Sequence, residues 1–443
     1  MNSLKEFDFK LWFTFLLIIL IPSLQNIIRL HFIGDMPNEW GFNIASQIQW
    51  LNILYEILKE GILLPLFFML YQAKRKGYLT LRNSALSGLY VVFLFHCILS
   101  LCIFFFANEL LSFAKQTKEL IAQTSTYIKI ESVAILFSIS LEYLIIYLAV
   151  SNKIKEIFKL FLFKSILLFF SDLFIISQND YSLKLGVNGI AISNLIINIL
   201  LSIYIISKIN FHELIINKEF TFNKNWIKSW FKLGFFSGAE SLVRNAVFFI
   251  MILSMMNEIG EQGNYWVANS IIWGILLAPS LALSEVVKRD IAESVENIKI
   301  KTHSYIMLTL LFSIFWILTL PFLDLIMPLI LGNKNNIVID LIILQTIFYL
   351  CFMFNNSIFD ATIYGLGITK YIFYQSIFVN IGYYGAIFIL YKTEVIVMSL
   401  YSISMIFGFG MLIDLFPTLY FYIKALKQNN IKLNEIFSKK FIS

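Results

Sequence analysis

Long apolar runs separated by short polar stretches repeat along the whole 443-residue chain. A helix needs roughly 20 apolar residues to cross about 30 Å of hydrocarbon. Twelve runs reach that length: 9–33, 45–73, 80–107, 121–150, 156–177, 186–208, 226–257, 264–287, 302–331, 337–366, 368–391 and 395–424. They are numbered below as spans 1 to 12. The runs are continuous rather than alternating, which excludes a β-barrel. Pro22, Pro65, Pro279, Pro321 and Gly408 fall within them, as membrane helices tolerate when neighbours satisfy the freed backbone groups. The first run is too long for a signal h-region and has no small-residue cleavage site, so it is expected to remain as a span. The pattern predicts an all-α integral membrane protein of twelve transmembrane helices.

Composition agrees: 59% of residues are hydrophobic and 14% charged, where a soluble domain carries about 25% charged. Mean hydropathy is +0.78. These values exclude a cytosolic enzyme, a disulfide scaffold and a nucleic-acid binder. Cys97, Cys102 and Cys351 lie in apolar runs without ligand spacing and read as small hydrophobes.

Charge then sets the orientation. With the N-terminus in the cytoplasm, the tails and the connections on that side carry 25 of the 34 Lys and Arg, and the opposite side carries five. That bias is the positive-inside signature of an even span count with both termini cytoplasmic. The count takes Lys164 with the connection between spans 4 and 5.

Two matches suggest a duplication. Gly61–Lys76 aligns with Gly274–Arg289 at an offset of 213, and Lys155-x-Ile157-Phe158 with Lys370-x-Ile372-Phe373 at 215. The division expected is 1–208 as an N-terminal six-helix lobe, 209–225 as a cytoplasmic linker, 226–424 as a C-terminal lobe and 425–443 as a cytoplasmic tail. Two pseudo-symmetric six-helix bundles around a central cavity suit a transporter that rocks between two states.

The layout resembles the multidrug and toxic compound extrusion (MATE) family, within the wider multidrug/oligosaccharidyl-lipid/polysaccharide (MOP) exporter group. Pro22 in span 1, Leu185-Gly186-Val187-Asn188-Gly189-Ile190-Ala191 opening span 6, and Tyr364-Gly365-Leu366-Gly367 after span 10 carry the resemblance. So does Gly238-Ala239-Glu240-Ser241-Leu242-Val243-Arg244-Asn245 in span 7. It implies an exporter of organic, cationic or amphiphilic solutes in the cell membrane, acting as a monomer without a cofactor and coupled to H⁺ or Na⁺. The sequence departs from that family in span 1, where Arg29 precedes Gly34 and the usual aspartate is missing.

Charges inside spans mark the candidate site. Each costs about 2.5–3.5 kcal/mol at the bilayer centre, so the five in Glu56, Lys59, Glu60, Glu240 and Arg244 would cost roughly 12–17 kcal/mol unpaired. They must therefore face a cavity or one another. Glu56 is expected to meet Lys59 and Glu60 along its own helix face, and Glu240 to meet Arg244. With Asn245, Arg29 and Trp273 they form the expected substrate cavity between the halves. Glu240, Asp360, Asn356 and Glu142 are the expected cation-coupling groups, with Na⁺ at Glu240 and Asp360 as one form of coupling. Asp172, Asp324 and Asp414 read as solvated ends or local anchors, and His96 as a packing residue. A flippase of lipid-linked, pyrophosphate-bearing substrates is the alternative, with Arg29, Lys59, Lys129 and Arg244 as its cations. Three of those four have an acid within four residues, which weakens it. A membrane enzyme would need a cluster such as HExxH, and His31, His96, His212 and His303 offer none.

Overall fold

A computed structural model describes residues 7–36, 40–63, 65–151, 153–208, 221–331 and 335–436. Residues 209–220 of the expected linker, 437–443 of the expected tail, and Lys5, Lys218 and Lys334 lie outside the described residues. The described residues hold helices and no strand. Each expected span is helical. Nine are long and apolar enough to cross a membrane as they stand, and a pair bent by 54°, Gln262–Leu276 with Ala278–Glu293, makes a tenth.

The other two expected spans are helical but more polar. Span 2 is Ile48–Ile62 followed by Leu66–Arg75, and span 5 is Ile154–Ser171 with a π-helical turn, Asp172–Ile176. Glu56, Lys59 and Glu60 interrupt the first, and Lys155, Glu156, Lys159 and Lys164 the second. Both of these spans contribute residues to the polar chamber described below.

The helices are apolar outside and mixed inside, the order a bilayer imposes. In Tyr78–Phe105, Phe93, Leu94, Ile98, Leu101 and Phe105 are exposed, while Ser84, Ser87, His96 and Ser100 are buried. In Lys224–Phe248, Leu233, Phe235, Phe236 and Leu242 face out, and Gly234, Glu240, Ser241 and Asn245 are buried.

The chain divides into two compact units, 32–263 and 1–31 with 264–443. Relative to the sequential division at 209–225, the first helix groups with the second half and span 7 with the first. The reason for span 7 is visible in its contacts with span 2. A Cβ on Gly234 would overlap the Gly61 carbonyl, and one on Gly238 would come within 3.1 Å of the Gly61 Cα. Three glycines thus bring two backbones together, the small-residue packing used between membrane helices.

Pro65 gives that seam its chemistry. It breaks span 2, because proline lacks an N–H and clashes with the carbonyl four residues earlier. The Leu66 N–H bonds the Leu63 carbonyl instead of that of Ile62. Span 7 supplies a donor to the Ile62 carbonyl, from Trp230 Nε1 at 2.8 Å, and Ser237 Oγ donates to the nearby Glu60 carbonyl at 2.9 Å.

In the unit of 1–31 and 264–443, an apolar core joins Phe7, Val287, Ile291, Ile298, Tyr305, Tyr422 and Ile436. Trp12 Nε1 donates to the Pro279 carbonyl at 3.0 Å and ties the first helix to span 8.

Candidate functional site

Span 2 and span 7 place their charges on the seam that the glycines close. Arg244 sits among three carboxylates. Its guanidinium donates to Glu60 Oε1 at 2.6 Å, to Glu240 Oε1 at 3.1 Å and to Glu56 Oε1 at 3.4 Å. Glu240 is 6% exposed, so a carboxylate is held almost out of solvent by a partner one turn away. The expected Glu240–Arg244 pair is present. Asn245 beside it donates to Ser241 Oγ at 2.9 Å and is buried.

The pairing expected within span 2 is different. Lys59 does not neutralise Glu56; its Nζ crosses to Glu142 Oε1 of span 4, at 2.7 Å. Glu56 turns to Arg244 instead. The guanidinium fork donates to several carboxylates at once, whereas an ammonium acts as a point charge. Four carboxylates and two cations therefore share this region.

A chamber of about 460 Å³ adjoins it, wholly within residues 32–263. Asn52, Tyr55, Glu56 and Lys59 of span 2 line it, with Glu131 and Ser138 of span 4, Lys164 of span 5, and Asn194 and Asn198 of span 6. Glu131 is 3% exposed and both its oxygens accept from Asn194 Nδ2, at 2.9 and 3.1 Å. Asn198 Nδ2 donates to the Ala134 carbonyl at 3.1 Å. Behind the chamber, Tyr55 bonds Ser100 and the Ser132 carbonyl, and its ring stacks on His96. His96 is buried with Nδ1 at 2.7 Å from the Val92 carbonyl, in keeping with packing. Lys164 lines this chamber and so leaves the connection to which its charge pattern assigned it. Its signal was spacing: Lys164 and Leu168 share a helix face, as do Asn194 and Asn198.

Other candidates belong to the second unit. Asp360 lies in a π-helical turn, Asn355–Asp360, and its Oδ1 accepts from Gln375 Nε2 at 2.9 Å. Such turns often sit at functional positions. Asn355 Nδ2 donates to Asp414 Oδ2 at 2.9 Å and to Thr418 at 3.3 Å, making Asp414 an interhelical anchor. The side-chain oxygens of Asn355, Asn356 and Gln375 are buried without a hydrogen-bond partner. Oxygen acceptors beside carboxylates are the donor set of a hard cation. Among the described residues, no group of three or more His, Cys, Asp or Glu is placed to hold a metal ion.

Trp273 is part of an aromatic group rather than of the charge cluster. Its Nε1 donates to the Tyr349 hydroxyl at 3.0 Å, that hydroxyl donates to Asn269 at 2.7 Å, and Phe352 packs on the indole. Arg29 lies on the first helix in the same unit, half-buried. Lys129 sits over the Phe104 ring. Asp172 is 3% exposed, so it is not a solvated end. The sequence reading also missed Asp290, a buried carboxylate bonded by Lys301 at 2.9 Å and Tyr305 at 2.7 Å.

The class of fold is that of MATE transporters of the MOP superfamily: an all-helical membrane fold whose solved examples match nearly the whole chain. A MOP superfamily transporter from Pyrococcus furiosus superposes with a TM-score of 0.68 at 16% identity, covering 94% of this chain and 95% of that one. It is described as having a binding pocket of reverse polarity that suggests a different function. A MATE transporter from Vibrio cholerae gives 0.63 at 14% identity, covering 97% and 98%. An inward-facing multidrug resistance MATE transporter gives 0.64 at 14%, covering 92% and 98%. No family model and no curated protein sequence matches the chain.

Proposed function

We propose that the protein is a secondary active exporter, not an enzyme, that moves small organic solutes by alternating access and is coupled to H⁺ or Na⁺ through intramembrane carboxylates. The observation that carries this reading is the holding of Glu56, Glu60 and Glu240 by one guanidinium across the span 2–span 7 seam. One cation cannot neutralise three carboxylates, so the cluster has a standing affinity for a proton or small cation. A proton on Glu60 would remove the negative charge behind the shortest of its bonds and let Arg244 move toward Glu56. A ligand shifts a two-state protein only by differential affinity, and this exchange supplies it.

Asp360, with the orphaned oxygen of Asn356 in the same π-helical turn, offers cation chemistry of a second kind in the other unit. The reading includes the cell membrane as location, both termini in the cytoplasm, a single chain as the working form, and the six-plus-six duplication suggested by the offset of 213.

A lipid-linked anion as substrate is the second reading. The Pyrococcus furiosus relative's reversed pocket polarity favours considering it. The pairing of Arg244 with three carboxylates and of Lys59 with Glu142 argues against it, since a phosphate cavity needs unspent positive charge.

The test is transport by the purified chain in proteoliposomes with imposed pH or Na⁺ gradients, comparing organic solutes with a lipid-linked sugar. Gradient-driven movement of the solutes is expected. Gradient-independent movement of the lipid alone would overturn the exporter reading.

A further inference from the structure

The chamber carries both signs of charge. Lys59 and Lys164 line it together with Glu56 and Glu131, and Ile48, Ile135, Leu168 and Ile197 supply an apolar wall. Its volume of about 460 Å³ is within the range of small-molecule sites. Two of the four charges are bound in ways a ligand can rearrange. Lys59 Nζ is at 2.7 Å from Glu142, an ammonium has three donors, and a third of its side chain is open. Glu56 has the longest of the three contacts to Arg244, 3.4 Å against 2.6 and 3.1 Å. The two residues are three apart on one helix, so their Cβ atoms lie about 5–6 Å apart on a shared face.

We propose that this chamber binds a small zwitterion of the amino-acid type, its carboxylate on Lys59, its ammonium on Glu56 and its side group against the apolar wall. A plain cation would face two lysines there, and a plain anion two glutamates. Each would be bound against unfavourable charge, whereas a zwitterion meets both signs. The proposal deepens the exporter reading by naming the substrate class, and rests on it for the word substrate. It also links occupancy to the cluster: an ammonium on Glu56 releases one of the contacts of Arg244.

Binding is measured on the full chain in nanodiscs, with L-phenylalanine, phenylalaninamide (cation) and N-acetylphenylalanine (anion) as probes. The zwitterion is expected to bind at least about tenfold more tightly than either derivative. Lys59→Met should erase the preference over the amide. Glu142→Gln removes the competitor for Lys59 and should tighten N-acetylphenylalanine binding by several-fold, a gain that a misfolded variant cannot produce. An amide that binds wild type as well as the zwitterion overturns the proposal, as does Glu142→Gln without effect on the anion. Gradient-driven export of other solutes with no zwitterion preference would sink this inference alone. Zwitterion binding without any gradient-driven movement would sink the exporter reading alone.

Discussion

Arg244 organises the site because a guanidinium presents five donors in a fixed plane, and here they meet three carboxylates from two helices. Charge-assisted bonds of this kind contribute about 1.5–3 kcal/mol. Arg244→Ala leaves three like charges together and should lower the midpoint of thermal unfolding in detergent. Arg244→Lys should recover only part of the loss, since an ammonium cannot span the three oxygens. Full recovery by lysine would show that net charge rather than geometry matters. At this scale the sequence was informative about which residues and less so about their partners. The spacing of Glu240 and Arg244 announced their pair. Lys59 had Glu56 at helical spacing, and its choice of Glu142 instead, 83 positions away, depends on packing between spans that no local pattern encodes.

The helices explain how that packing arises. Gly61, Gly234 and Gly238 let span 2 and span 7 touch backbone to backbone, and Trp230 and Ser237 bond the carbonyls at the Pro65 break. Gly234→Ala should force the helices apart at a cost of about 1–3 kcal/mol, read as a lower unfolding midpoint and weaker transport. Gly385→Ala, where a Cβ meets no atom within 4 Å, should leave both unchanged. Trp230→Phe keeps an aromatic ring but strands the Ile62 carbonyl and leaves a small cavity, a loss of at least about 1–3 kcal/mol in the same measurement. If Gly234→Ala unfolds like wild type, the close seam is not a feature of the protein. Existence and approximate limits of the helices were legible from hydropathy alone. The break in span 2 was foreshadowed by Pro65, but the π-helical turns at Asp172–Ile176 and Asn355–Asp360 were not, because one extra residue in a turn leaves no compositional trace.

For the whole molecule, Lys and Arg asymmetry predicts sidedness. In a variant without Cys97, Cys102 and Cys351, a cysteine at Lys76 should react with an impermeant thiol reagent only from the cytoplasmic side, and one at Lys184 only from outside. Labelling of both from one side would break the proposed topology. The contact units differ from the linear halves because span 7 closes on span 2 through glycines 173 and 177 positions from Gly61, a relation invisible to any repeat search.

The claim on which the function turns is that the carboxylates around Arg244 couple solute movement to an ion gradient. The most direct measurement compares gradient-driven uptake with gradient-free exchange of the same solute in proteoliposomes carrying wild type or Glu240→Gln. The expected result is exchange retained and the response to the gradient lost. An unchanged gradient response in Glu240→Gln would contradict it.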